Sequence, residues 1–210
     1  MWVGRRVLVV IAVALALAPN PARAESSIVL PKSGQVGLSV GGGYGSLLES
    51  GPVGSLYGAG PTLAIRLRYR MRYERGLGLS FESRSLDVRQ EAGPFDPLVP
   101  STIAPTKLSL VLSGFEFYQM FDTRTRTTKM LMVGAGLAQM RADLNSGETQ
   151  LSDEFGSGDG LYVSAGAGLE RFFFRSWAWD LSSRYLAIFK DGKANHDLQA
   201  ALGLIFYASY

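Results

Sequence analysis

From Ser33 onward, apolar residues recur at every second position in one segment after another, and long polar loops alternate with short turns between the segments. A two-residue period puts successive side chains on opposite faces of a strand, so the pattern predicts a meander of β-hairpins. The stretch from Thr62 to Tyr73 shows it most clearly. There Leu63, Ile65, Leu67, Tyr69, Met71 and Tyr73 alternate with Ala64, Arg66, Arg68, Arg70 and Arg72. An amphipathic helix would need apolar residues three and four apart, and this stretch excludes one.

Around that segment the same rule lays out the rest of the chain. A first strand is expected near Gly34 to Tyr44, with Val36, Leu38 and Val40 opposite Gln35, Gly37, Ser39 and Gly41. After a tight turn at Glu74-Arg75-Gly76, a third strand sets Leu77, Leu79 and Phe81 against Gly78, Ser80, Glu82 and Arg84. The Pro-rich loop Asp87 to Thr106 leads to a fourth, near Lys107 to Phe121, whose parity breaks. Leu108, Leu110 and Leu112 lie on one side, and Phe115, Phe117 and Phe121 on the other. A bulge at Gly114 is the expected remedy. Strands from Thr128 to Arg141, from Leu161 to Phe173, from Trp177 through Tyr185 and from Asp197 to Tyr210 complete the set. The count is eight, an even number, as in bacterial single-chain membrane barrels.

The N-terminus follows different rules. Arg5 and Arg6 precede an apolar run from Val7 to Ala18, and Ala22-Arg23-Ala24 stands before Glu25. This is the three-part form of a secretory signal, so residues 1–24 are expected to be cleaved, with 25–33 a short extension and 34–210 the barrel. The run of about a dozen residues is too short for a spanning helix, and Pro19 and Pro21 favour cleavage over anchoring. A bare Arg-Arg pair does not specify a twin-arginine route. The formal charge of +3 rests on Arg5, Arg6 and Arg23; without them acidic and basic residues balance, and nucleic acid is not an expected partner. There are no cysteines, which excludes a disulfide scaffold or a thiolate metal site.

If the apolar face meets lipid, the polar face lines a lumen that eight strands leave just wide enough for side chains to fill. Arg66, Arg68, Arg70, Arg84 and Arg184 are then expected to pair with Glu82, Glu170 and Asp180 in an internal ion network, and Glu116 joins if the bulge turns it inward. Aromatic residues, among them Tyr69, Tyr73, Phe121, Phe172, Trp177 and Trp179, gather at strand ends beside the short turns, where an interfacial girdle would lie. In the last strand, Gly203, Leu204, Phe206 and the terminal Tyr210 resemble the signal that the bacterial barrel-assembly machinery reads.

The whole mature chain resembles the small eight-stranded outer-membrane barrels of Gram-negative bacteria, the group that includes the OmpA transmembrane domain, OmpX and OmpW. The resemblance implies an all-β, antiparallel up-and-down transmembrane barrel in the outer membrane, in contact with lipid and lipopolysaccharide, and a monomer. No peptidoglycan-binding domain follows the last strand, so wall tethering through one is not expected.

Candidate chemistry is sparse. Barrel enzymes that modify lipid A use a rim His with a Ser or an acid; here His196 lies between Asn195 and Asp197, with Ser182 or Ser183 as a neighbour across the hairpin, but the His-x-Ser pattern is missing. Asp143, Glu148, Asp153, Glu154 and Asp159 form an acidic loop without calcium-loop spacing. The runs Gly41-Gly42-Gly43 and Gly134-Ala135-Gly136 fall inside strands with no following helix, which fits close packing and not phosphate binding. No cofactor is expected. The expected function is a non-enzymatic outer-membrane barrel with a structural or surface-interaction role carried by its long loops. The alternatives are a soluble lipocalin-like barrel that turns its apolar face inward around a small ligand, and a minor small-solute channel.

Overall fold

The computed structural model describes residues 33–49, 53–89, 105–144, 157–174 and 176–208. The signal, nearly all of the 25–33 extension, the acidic residues Glu148, Asp153 and Glu154, and Tyr210 lie outside them. The strands are β1 (Val36–Leu47), β2 (Ala59–Arg72), β3 (Arg75–Asp87), β4 (Pro105–Phe121), β5 (Thr127–Leu144), β6 (Gly158–Phe172), β7 (Trp177–Lys190) and β8 (Lys193–Tyr207). Each pairs antiparallel with the next, and β8 closes on β1, so the protein is an all-β up-and-down barrel with no free sheet edge.

The register fixes the shape of the barrel. A path stepping straight across the strands from Val36 passes Tyr69, Leu77, Phe117, Val133, Ala165, Tyr185 and Leu198, and re-enters β1 at Ser46, ten residues further along. Closure with this stagger needs strands tilted by roughly 40° and leaves a narrow interior. Short connections join β2 to β3, β4 to β5 and β6 to β7 at the end that also holds the start of β1 and the end of β8. The opposite end carries the three long connections and the Asp191-Gly192 turn, whose φ values of 51° and 73° suit a two-residue hairpin.

Alternation decides which face goes where. Along β2, Leu63, Ile65, Leu67, Tyr69 and Met71 are exposed on the outside, whereas Ala64, Arg66, Arg68 and Arg70 are buried within. Large apolar residues are exposed outward on all eight strands, from Leu38 on β1 to Phe206 on β8. Inside, lumen-facing glycines make room for large neighbours. A Cβ on Gly37 would lie 2.7 Å from the Tyr207 ring, and one on Gly78 2.8 Å from that of Tyr118.

Strand four corrects the expectation from the sequence. No bulge occurs at Gly114: β4 keeps continuous register with β3 from Gln119 to Lys107 and with β5 from Phe121 to Lys107. Irregularities fall instead between Arg70 and Arg72 and between Pro105 and Lys107. Leu108, Leu110 and Leu112 face the lumen on the same unbroken strand whose Phe115, Phe117 and Phe121 face out. Glycine stands at 114 because the Tyr162 hydroxyl and the Ala135 carbonyl occupy the space a side chain would need.

The physical reason is an inversion of the two faces along the barrel. Through the middle of the barrel the wall is polar inside and apolar outside. Toward the long loops it becomes apolar inside, where Leu47, Leu86, Leu108, Leu110, Met140, Leu186 and Ile188 form one cluster. On β3, β4 and β5 the outward positions there include Ser83, Ser85, Asp87, Lys107, Ser109, Gln139, Arg141 and Asp143, whereas on β6 and β7 Leu161 and Phe189 remain exposed outward. A wall that is polar outside and apolar inside suits water, as in any soluble protein.

Candidate functional site

The lumen holds the densest chemistry of the molecule. Residues two apart on a strand share a face, so β2 stacks Arg66, Arg68 and Arg70 in one column pointing inward. Carboxylates reach that column from three other strands. Arg66 meets Glu82 of β3 at 3.0 Å, Arg68 meets Glu170 of β6 at 2.8 Å and Asp180 of β7 at 3.0 Å, and Arg70 meets Glu170 at 2.8 Å. Arg184 pairs with Glu82 and with Glu116, and Arg84 pairs with Asp197. Of the eight charged residues singled out in the sequence, Arg66, Arg68, Arg70, Arg184, Glu82, Glu170 and Asp180 form one connected set, whereas Arg84 lies in the lumen in a separate pair with Asp197, which was not among them. Among the described residues, five guanidiniums face five carboxylates in the lumen, and every one of these side chains is at least nine-tenths buried.

Neutral groups extend the network. The Tyr207 hydroxyl donates to Glu170 at 2.8 Å, the Gln199 amide donates to Glu82 at 3.0 Å, and Tyr118 donates to Glu116. The guanidinium of Arg68 lies 4.5 Å over the Tyr118 ring and that of Arg70 5.0 Å over Tyr207, contacts that suit a flat delocalised cation. Glu116 enters through the plain parity of β4, with no bulge. The ion network expected from the sequence includes neither Asp197 nor Gln199, although their two-residue spacing puts both on the inward face of β8; Asp197 reads in sequence as a neighbour of His196.

Apolar layers cap the ionic one at both ends. On the turn side lie Met120, Met130 and Met132 against Tyr118, and Phe172, Ala178 and Ile205 against Tyr207. On the loop side the β1–β2 connection folds inward, burying Val53 and Tyr57 in the apolar cluster. Val53 donates its amide to Asn195 at 3.0 Å. Burial, with the Asp143 carboxylate near, pushes the Tyr57 phenol up to about 12. Arg89, just past β3, clamps this connection: it donates to the carbonyls of Leu47, Gly54 and Tyr57 and to Glu49.

The other candidates are dispersed. His196 faces outward and stacks on Tyr185, whose hydroxyl meets its Nδ1. Ser182 lies in the lumen against Arg66, and Ser183 pairs with Ala200, whereas the cross-strand partner of His196 is Ala187; neither serine is its neighbour. Asp143 and Asp159 lie on neighbouring strands on the outer face, and the described residues contain no group of three potential metal ligands. In the last strand Leu204 and Phe206 point outward and Gly203 packs on Gly41 of β1.

No protein-family model matches this sequence, and no curated protein matches it significantly. Solved structures do match. Neisserial surface protein A aligns with TM-score 0.56 at 15% identity, over 81% of this chain and 96% of its own. The N-terminal β-barrel domain of Pseudomonas aeruginosa OprF aligns with TM-score 0.52 at 16% identity, over 85% and 100%. The outer membrane protein OprG of the same organism aligns with TM-score 0.53 at 12% identity, over 87% and 100%. Identity this low carries the fold and nothing narrower: the chain has the architecture of the small eight-stranded outer-membrane β-barrels.

Proposed function

We propose that this protein is an exported, non-enzymatic barrel of the bacterial outer membrane, a sealed wall element that presents its long connections to the exterior. The observation that carries the reading is the orientation of the two faces. Arg66, Arg68 and Arg70 are buried in the lumen, and large apolar residues are exposed around the whole circumference. In water that surface would be an aggregation hazard; in hydrocarbon it is the stable arrangement. A soluble lipocalin-like barrel needs the reverse, with its apolar face inward.

A solute channel is disfavoured by the packing. Arg68, Arg70, Glu170 and Asp197 are at most 1% exposed, so no water-sized space adjoins them, and an apolar layer lies at each end of the ion network. A conducting pore would need a hydrated lumen. Lipid and lipopolysaccharide are the expected surroundings, and the assembly machinery reads the β8 residues Gly203, Leu204 and Phe206 during insertion.

The test is to wash membranes with urea and run the protein boiled and unboiled on a detergent gel. An integral band whose mobility shifts on boiling supports the reading, whereas release as a soluble, unshifted species overturns it. Planar-bilayer recording of the same sample is expected to show no steady conductance.

A further inference from the structure

The ionised groups exposed at the two ends of the barrel are distributed unequally. At the turn end Arg72, Arg75, Arg124, Arg126, Lys129 and Arg171 are all exposed. Among the described residues only Glu74 and Asp122 oppose them there, and Asp122 is already held by Lys129 at 2.9 Å. At the loop end, exposed carboxylates such as Asp87, Asp143 and Asp159 offset the lysines and arginines.

The six cations form one arc. Arg72 and Arg75 flank the β2–β3 turn, which is tied to β4 by the Met120 amide donating to the Glu74 carbonyl at 2.7 Å. Arg124 and Arg126 occupy the β4–β5 turn, tied to β6 by the Phe172 amide donating to the Arg126 carbonyl at 2.8 Å. Arg72 and Arg75 are cross-strand partners, and directly opposed like charges are destabilising unless an anion lies between them. We propose that this turn-end rim is a binding surface for the headgroups of anionic phospholipids.

The position of the arc selects a lipid over a soluble polyanion. Lys129 pairs across the sheet with Phe121 and Leu169, and Arg171 with Trp179, so both cations leave the outer wall beside apolar and aromatic side chains. Aromatic residues of this kind mark the depth of the membrane interface, where lipid phosphates lie. The cations thus form an arc along one side of the barrel, with Lys129 and Arg171 on its outer wall at headgroup depth. An anionic headgroup carries the charge that they lack, and the attraction amounts to a several-fold preference per basic group near the surface.

The inference rests on the membrane reading, and the experiment separates the two. The full chain is reconstituted into phosphatidylcholine vesicles with a spin-labelled lipid, either phosphatidylglycerol or phosphatidylcholine, and its relative association is read by electron spin resonance. A heat-shifted gel band in each sample shows that the barrel is inserted; its absence overturns the membrane reading and the inference with it. With the band present, phosphatidylglycerol is expected to be preferred several-fold. The preference should fall toward unity in Arg75→Gln/Arg124→Gln/Arg126→Gln and in high salt, and persist in the loop-end control Lys107→Gln/Arg141→Gln. Equal association of both lipids with the folded wild type overturns the proposal, as does a preference that survives the triple substitution.

Discussion

Arg68 of β2 holds Glu170 of β6 at 2.8 Å and Asp180 of β7 at 3.0 Å, joining strands from opposite halves of the chain. Removing one member of a buried pair leaves an uncompensated charge, which costs about 3–5 kcal/mol. Arg68→Met is therefore expected to lower the urea stability of the vesicle-embedded barrel by about that amount. The charge-balanced double variant Arg68→Met/Asp180→Asn, which leaves the Arg70–Glu170 pair intact, should recover a large part of the loss. Purely additive effects in that cycle would show that the two groups are uncoupled.

Gly45 lies against the guanidinium of Arg84, and a Cβ there would come within 2.5 Å of Arg84 Cζ. On the outer face, a Cβ on Gly42 would meet only the Thr62 carbonyl, at 3.7 Å. Gly45→Ala should destabilise the barrel by about 1–3 kcal/mol through overpacking, while Gly42→Ala should be neutral or slightly stabilising. Equal effects of the two substitutions in unfolding titrations would contradict the assignment of faces.

The inversion of β4 sets a depth boundary that arginine scanning can locate. Val133 faces outward within the apolar band, and Ser109 faces outward where the wall has turned polar. Val133→Arg is expected to cost about 2–4 kcal/mol in a bilayer, and Ser109→Arg about 0–1 kcal/mol. A penalty at Ser109 as large as that at Val133 would place lipid higher on the barrel than the inversion does.

Arg89 holds the β1–β2 connection over the barrel mouth through three backbone carbonyls and Glu49. Arg89→Ala should raise hydrogen exchange at the amides of Leu47, Tyr57 and Gly58 about tenfold or more. The heat-shifted gel band should remain, because the barrel wall does not depend on this clamp. Unchanged exchange would mean that the buried Val53 and Tyr57 hold the connection unaided.

Much of this was legible because a strand wall obeys one local rule. The alternation from Leu63 to Arg72 assigns β2, its outer face and its inward arginines without reference to any other strand. The rule is blind to surroundings, and on strand four it misleads. A flip from inward leucines to outward phenylalanines reads as a break in the strand if the solvent is taken to be the same along its whole length. The true cause is a change of solvent along a continuous strand. Asp197 was missed for a related reason, since its neighbours His196 and Asn195 suggest a rim whereas its face is set by the period through Gln199. Pairings such as Arg70 with Glu170 depend on the shear of the closed barrel, which no single segment encodes.

The five-to-five balance of lumen charges also bears on how the barrel is made. The β2 arginines come early in the chain, and the carboxylates that neutralise Arg68 and Arg70 arrive about a hundred residues later, on β6 and β7. Until those strands are in place, the guanidiniums of Arg68 and Arg70 lack their carboxylates and their side of the sheet belongs in water. A half-built sheet therefore cannot seal itself in hydrocarbon, and closing the seam between β8 and β1 coincides with discharging the lumen.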